Sequence, residues 1–508
     1  MTQTHHNTAY DHLKERFKDI WAVNDALAIL NRDMITVMPV GAGESRTQQM
    51  TTLSALAHEK ISDPVVSEWL DQAKGDAANQ NDEDQITLSL MERAHLHASS
   101  LPEDLARNLS RLGSIGHQGH VRWRAENDWE GARAHLDQVF HLKREAARIK
   151  QDALGTDTLY DALIDEYDPY SSAAAIQEIF TPVEAFLKEA IPKAIERGAV
   201  QGEGGPSLAG PFPADKQAVL FRKIAEALGF DFHRGRMEMI PAHPSCYGAV
   251  DDSRFTTRID EQNFIEPLRA AIHEIGHGLY EQNLNKDWIY SPLGSSVGMT
   301  IHESQSLFWE RQVALNPAFY TWLAGEIKAA GLADSLTEDE VDVWLRSQKT
   351  AVTPSLIRIE ADEMTYPLHI ILRFELEQQI MAGTLEAKDL PEAWNTGMQD
   401  KLGLTPPDNA HGCMQDIHWF CGDLGYFPSY SLGAMAGAQI QSAMEKDLGA
   451  METLMVRGEF HPILDWLVKN IHRQGSFYKP MELMQKATGE PLNPEYFIAH
   501  LKQRYLKD

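Results

Sequence analysis

The sequence predicts a mainly helical, all-α protein with one small β-sheet. Apolar residues recur at helical spacing through most of the 508 residues, alternating segments gather just before residue 260, and a paired-histidine motif follows in a helical stretch. Hydrophobic residues at 43% and charged residues at 24% match soluble globular proteins, so long disorder is not expected.

In chain order, DHLKERFKDIWAVNDALAIL opens the helical pattern with Leu13, Phe17, Ile20 and Trp21. The polar run GDAANQNDEDQ at 75 to 85 predicts an exposed loop between helices. RGAVQGEGGPSLAGPFPADKQ at 197 to 217 is too rich in glycine and proline for regular structure over most of its length. One large domain, 1 to 508, is therefore expected to divide there into an N-terminal helical lobe, 1 to 196, and a second lobe, 218 to 508. DSRFTTRI at 252 to 259 alternates Ser253, Phe255, Thr257 and Ile259 with Arg254, Thr256 and Arg258, and RMEMI ahead of Pro241 is its expected partner strand. As an edge, DSRFTTRI would let an extended peptide add alongside through backbone hydrogen bonds, a sequence-tolerant mode of binding. HPILDWLVKNIHRQG and MELMQKATGE restore the helical pattern before Pro491 and Pro494 end it.

Lys and Arg total 46 against 74 Asp and Glu, a formal charge of -28 that repels phosphate backbones and anionic membranes. Nucleic acid is not an expected partner. MTQTHHNTAYDHLKERFKDI lacks the basic start and apolar run of a secretory signal, and no later segment is apolar for long enough to span a bilayer; the expectation is a cytoplasmic protein without a membrane partner. Cys246, Cys413 and Cys421 are too few for a disulfide framework and form no Cys-x-x-Cys pair.

The chemistry centres on AIHEIGHGLYEQ, residues 271 to 282. Leu268, Ile272, Ile275 and Leu279 keep helical spacing, and Pro267, Glu261 and Glu266 suit a helix start. At ~100° per residue, His273 and His277 project about 40° apart, so both imidazoles reach one ion. Glu274 lies too far round to ligate and is placed to take a proton from water at the metal. A hydrolytic zinc site needs a third protein ligand and an open position for water. Glu303, in VGMTIHESQSLFWERQ, offers a carboxylate from a neighbouring helix, with His302 as the competing ligand. Cobalt fits the same donors. A non-catalytic peptide-binding scaffold would be expected to lose the acidic residue after the first histidine, and Glu274 is intact; a closed structural zinc site would be richer in cysteine.

A wider constellation resembles the carboxypeptidase Taq family of zinc metallocarboxypeptidases. It comprises HPS at 243 to 245, DSRFT at 252 to 256, HEIGH at 273 to 277, HESQ at 302 to 305, IRIEAD at 357 to 362, GCMQDIHW at 412 to 419 and GYFPSYSLG at 425 to 433. YDALIDEYDPY, WLVKNIHRQG and TGEPLNPEYF extend the likeness from about residue 159 to the C-terminus, whereas the first 150 residues match only as generic helices. The resemblance implies a helical body like that of neurolysin and angiotensin-converting enzyme, cleft by a deep groove, with Zn2+ held by His273, His277 and Glu303. It further implies release of single C-terminal amino acids from peptides, broad specificity and a homodimer. Ser245 stands where the family usually has phenylalanine, a departure that bears on side-chain preference more than on catalysis.

A carboxypeptidase must recognise a free carboxylate, for which a guanidinium fork is the natural partner. Arg358 in IRIEAD is the candidate, its structural alternative being a helix-face pair with Asp362. Arg254 either meets substrate or pins the sheet, the second being preferred, and His243 is a candidate groove residue. His418, Tyr426 and Tyr430 are candidate donors to the oxyanion, with core packing as the alternative for each. The competing enzymatic reading is a zinc oligopeptidase that cuts internally.

Overall fold

A computed structural model describes residues 8–76, 80–200, 206–240, 244–347 and 352–506. Helices dominate it, as the apolar periodicity requires. The opening pattern forms the helix Ala9–Thr36, which buries Leu13, Phe17 and Ile20 and starts on a Thr8 capping box. Together with Val66, Leu70, Leu88 and Met91, these residues make a small N-terminal core. A much larger core runs from Leu112 to Leu501.

Among the described residues, helix enters the glycine-rich break only at its two ends. One helix extends over Ala173–Val200 and the next begins at Ala214, while 201–205 lie outside the described residues. The main core is continuous across it, since Ile191 and Ala194 on one side and Leu220 and Ile224 on the other belong to the same buried cluster. In the 75 to 85 loop, one helix ends at Gly75 and the next starts at Asp82. Among the described residues no helix is long and apolar enough to cross a membrane, and all three cysteines are thiols without a disulfide.

The sheet has three strands, β1 (Gly235–Met239), β2 (Cys246–Ala249) and β3 (Asp252–Thr257), in the order β1-β3-β2. β1 pairs with β3 in parallel, with Met237 opposite Phe255, and β2 pairs with it antiparallel, with Cys246 opposite Phe255. The DSRFT strand is therefore central. Both its edges are taken, so a peptide cannot add to it, and the docking mode expected from its alternation is corrected. Strand β2 was hidden because four residues that include Gly248 are too short to show a period. The sheet seats the histidine helix: Thr257 donates to the Pro267 carbonyl at 3.0 Å, and Gly278 lets that helix approach Phe230 and Ser253.

Candidate active site

The histidine helix, Ile265–Gln282, is buried over nearly its whole circumference. Its partner is the helix Met299–Leu307, which carries Glu303 and passes directly into a π-helical turn, Phe308–Ala314. The two meet backbone to backbone, because a Cβ on Gly276 would lie 2.6 Å from the Cα of Ser306. Asp168 caps the glutamate helix, accepting from the Thr300 amide at 2.7 Å and the Thr300 hydroxyl at 2.8 Å. Its second oxygen also accepts from Ser429 at 2.6 Å, which ties in the start of the helix Pro428–Leu448.

This packing brings the three expected ligands together. The Nε2 atoms of His273 and His277 lie 3.7 and 3.8 Å from the same oxygen of Glu303, Oε2. One donor atom from each residue falls within 4.8 Å of the others. Two imidazole nitrogens and a carboxylate oxygen so arranged suit a divalent ion of the zinc class, with one position left for water or substrate. Ser306 steadies the carboxylate by donating to Oε2 at 3.0 Å.

Electrostatics agree with that donor set. Burial, and then the neighbouring His302 and His273, hold the pKa of His277 well below the usual histidine value and leave it a lone pair for a cation. Burial also acts against charge on His273, yet the hydrogen bond and charge of Glu310, 2.7 Å from Nδ1, outweigh it and push its pKa up to about 9; an ion binding there displaces a proton. Glu310 was not anticipated, although an acidic residue seven positions after Glu303 was visible in the sequence. His302, the competing third ligand, turns away from the cluster. Its Nδ1 faces His277 Nδ1 at 2.6 Å and its Nε2 faces Glu281 at 2.8 Å. Glu274 is buried beside the ligands, where burial, followed among the raising effects by the Glu303 charge, pushes its carboxyl up to about 7.

A second cluster adjoins the first. Arg358 is buried, and it lies on a short 3-10 turn rather than on a helix face. It bonds Asp416 through Nε and NH2, each at 2.9 Å, and donates from NH1 to the Tyr366 hydroxyl at 2.8 Å. The expected alternative pair with Asp362 does not form; Asp362 instead accepts from Met364, Thr365 and Thr353 amides. Arg373 braces the other oxygen of Asp416 at 2.7 Å. The Arg358 guanidinium lies 5.1 Å from the Tyr430 ring centre, and Tyr430 is 3.4 Å from His418 Nε2. Tyr366, which accepts from Arg358, was missed because a lone tyrosine before Pro367 carries no distinctive pattern. Arg254 grips Asp252 with two bonds of 2.7 Å on β3. His243 lies outside the described residues.

A family model for the carboxypeptidase Taq (M32) metallopeptidases matches residues 12–505. The chain belongs to this family. It is 34% identical to Thermostable carboxypeptidase 1 of Thermus thermophilus across 98% of each chain. It is 31% identical to Thermostable carboxypeptidase 1 of Pyrococcus furiosus, each chain being covered completely. Trypanosoma cruzi Metallocarboxypeptidase 1, a solved structure, superposes with a TM-score of 0.94 at 34% identity, over 98% of this chain and 99% of that one. As an M32 member the chain is a peptide hydrolase of the metallocarboxypeptidase class, and internal cleavage is not favoured. The match also takes in residues 12 to 150, which read in the sequence only as generic helices.

Proposed function

We propose that this M32 carboxypeptidase holds one zinc ion per chain between His273, His277 and Glu303 and releases single C-terminal residues from peptides with broad side-chain specificity. The observation that carries the reading is the convergence of the two Nε2 atoms on one Glu303 oxygen. A zinc ion held there supplies Lewis acidity to a carbonyl and to water; cobalt suits the same donors.

The chain's own groups do the rest. Glu274, a buried carboxyl with its pKa pushed up to about 7, takes the proton from the attacking water and returns it to the leaving amine. Arg358 docks the substrate carboxylate. Of its five N–H groups, Asp416 and Tyr366 engage three, which leaves one on each terminal nitrogen facing a planar acceptor. Burial holds the hydroxyls of Tyr426 and Tyr430 protonated, their pKa values well above the ordinary tyrosine value. With His418 they supply hydrogen-bond donors where the carbonyl oxygen gains charge. Arg254, committed to Asp252, serves the sheet rather than substrate, and His243 is kept as a groove residue on the family resemblance alone. That resemblance also supports a homodimer and a groove open to peptides with a free C-terminus.

The test pairs a substrate with a variant. Glu274→Gln should keep the ion and lose nearly all turnover, and blocking the peptide C-terminus as an amide should stop the wild-type enzyme. Cleavage of amidated peptides at internal bonds would support the oligopeptidase reading instead.

A further inference from the structure

The two candidate ligand histidines are held differently. His273 meets a carboxylate directly, Glu310 at 2.7 Å. His277 meets a second imidazole, His302, and only through it a carboxylate, Glu281. We propose that His302 and Glu281 form a relay that fixes the tautomer and ring orientation of His277, so that its Nε2 lone pair faces the metal; both are positioning residues and neither is a ligand. This rests on the metal centre proposed above.

Proton counting on the observed contacts gives the relay its direction. His277 Nε2 faces Glu303. A neutral imidazole that offers Nε2 to a cation carries its one proton on Nδ1. That Nδ1 lies 2.6 Å from His302 Nδ1, a separation that accommodates a single proton between the two nitrogens. His277 therefore donates and His302 accepts. The proton of His302 then sits on Nε2, where Glu281 Oε1 accepts it at 2.8 Å. Every step has an acceptor, and the reverse arrangement places a proton on the Nε2 that must face the ion. With both ring nitrogens of His302 occupied, neither is left to bind metal.

The relay also links the two ligand-bearing helices. Glu281 lies one turn beyond His277 on the histidine helix, and His302 immediately precedes Glu303 on the other. Tyr280 backs His302 with ring centres 5.4 Å apart and is itself backed by His472 at 5.1 Å. His472 is pinned to Gln305 of the glutamate helix at 2.9 Å. The His302 ring is thus held in place by packing as well as by hydrogen bonds.

The experiment measures the Zn2+ dissociation constant by chelator competition, the absorption spectrum of the Co2+-loaded protein and the melting temperature of the metal-free protein. It compares wild type with His302→Leu, His302→Gln, Glu281→Leu and Glu281→Gln. Loss of an outer partner of a metal-bound histidine weakens metal binding by about 10- to 100-fold, the expected result for both leucine variants. His302→Gln, whose amide oxygen still accepts from His277, should recover most of the affinity and the wild-type cobalt spectrum, and Glu281→Gln should fall between. Leucine variants that bind zinc as tightly as wild type would overturn the relay. So would equal weakening in the leucine and glutamine variants of each site, because that pattern reports packing rather than hydrogen bonding. Wild-type protein that takes up no ion overturns the metal centre itself, and the relay with it.

Discussion

Gly433 and Glu303 stand so close that a Cβ on the glycine would lie 2.6 Å from the Cβ of the glutamate. The helix Pro428–Leu448 is pressed against the backbone that carries the third candidate ligand, and Gly276 allows the histidine helix a matching approach to Ser306. Glycines on two neighbouring helices therefore set the position of the carboxylate as much as the glutamate itself does. Gly433→Ala should cost about 1 to 3 kcal/mol of stability through overpacking. It should also displace Glu303 and weaken metal binding, whereas alanine at exposed Gly75, where a Cβ meets nothing within 4 Å, should leave metal binding unchanged. Thermal melts and chelator titrations of the two variants check this.

Glu310 is expected to matter without touching the ion. Its hydrogen bond to His273 Nδ1 orients that ring as the relay orients His277. Glu310→Leu should raise the metal dissociation constant by about 10- to 100-fold, with Glu310→Gln falling between it and wild type, while leaving the fold intact by circular dichroism.

Arg358 is held on one edge by Asp416 and at NH1 by Tyr366, so lysine cannot reproduce its fork even though it keeps the charge. Arg358→Lys should lower kcat/KM for peptides with free C-termini by about 2 to 5 kcal/mol of transition-state stabilisation. Steady-state kinetics of the variant, with metal content measured alongside, separates lost substrate docking from lost metal.

Two buried carboxylates predict acid sensitivity of the fold itself. Burial alone would raise Asp416, but the charges of Arg358 and Arg373 outweigh it and hold the pKa far below the usual carboxylate value. Arg504 and His500 do the same for Glu363. Each folded-state pKa lies below its unfolded value. The stability these groups contribute is therefore fully present above the ordinary carboxylate range, near pH 4, and is lost as pH falls towards the folded pKa. Urea midpoints should decline steeply below about pH 4, and Glu363→Gln should flatten that decline. A midpoint independent of pH down to 2 would contradict the assignment of these pairs.

Much of this arrangement is legible in the sequence, for identifiable reasons. A helix with two candidate ligands one turn apart writes its period into the sequence, so His273, Glu274 and His277 could be placed from spacing alone. Glu303 could be proposed but not separated from His302, because the choice depends on which neighbour turns inward. That is decided by Glu281 and by His277 itself. Strand β2 and the central position of β3 were not legible, since strand order in so small a sheet follows from packing on the histidine helix rather than from alternation. The role of Asp416 in GCMQDIHW is not legible, because a carboxylate that braces two arginines from a distant loop leaves no local pattern.

The most direct test of the account is a combined measurement of bound metal and products. Wild-type enzyme should contain one zinc or cobalt ion per chain, and mass spectra of a digested peptide should show a ladder shortened one residue at a time from the C-terminus. Both should vanish in His277→Ala and in Glu303→Ala. Full metal content and undiminished hydrolysis in either variant would contradict the coordination by His273, His277 and Glu303 on which the mechanism stands.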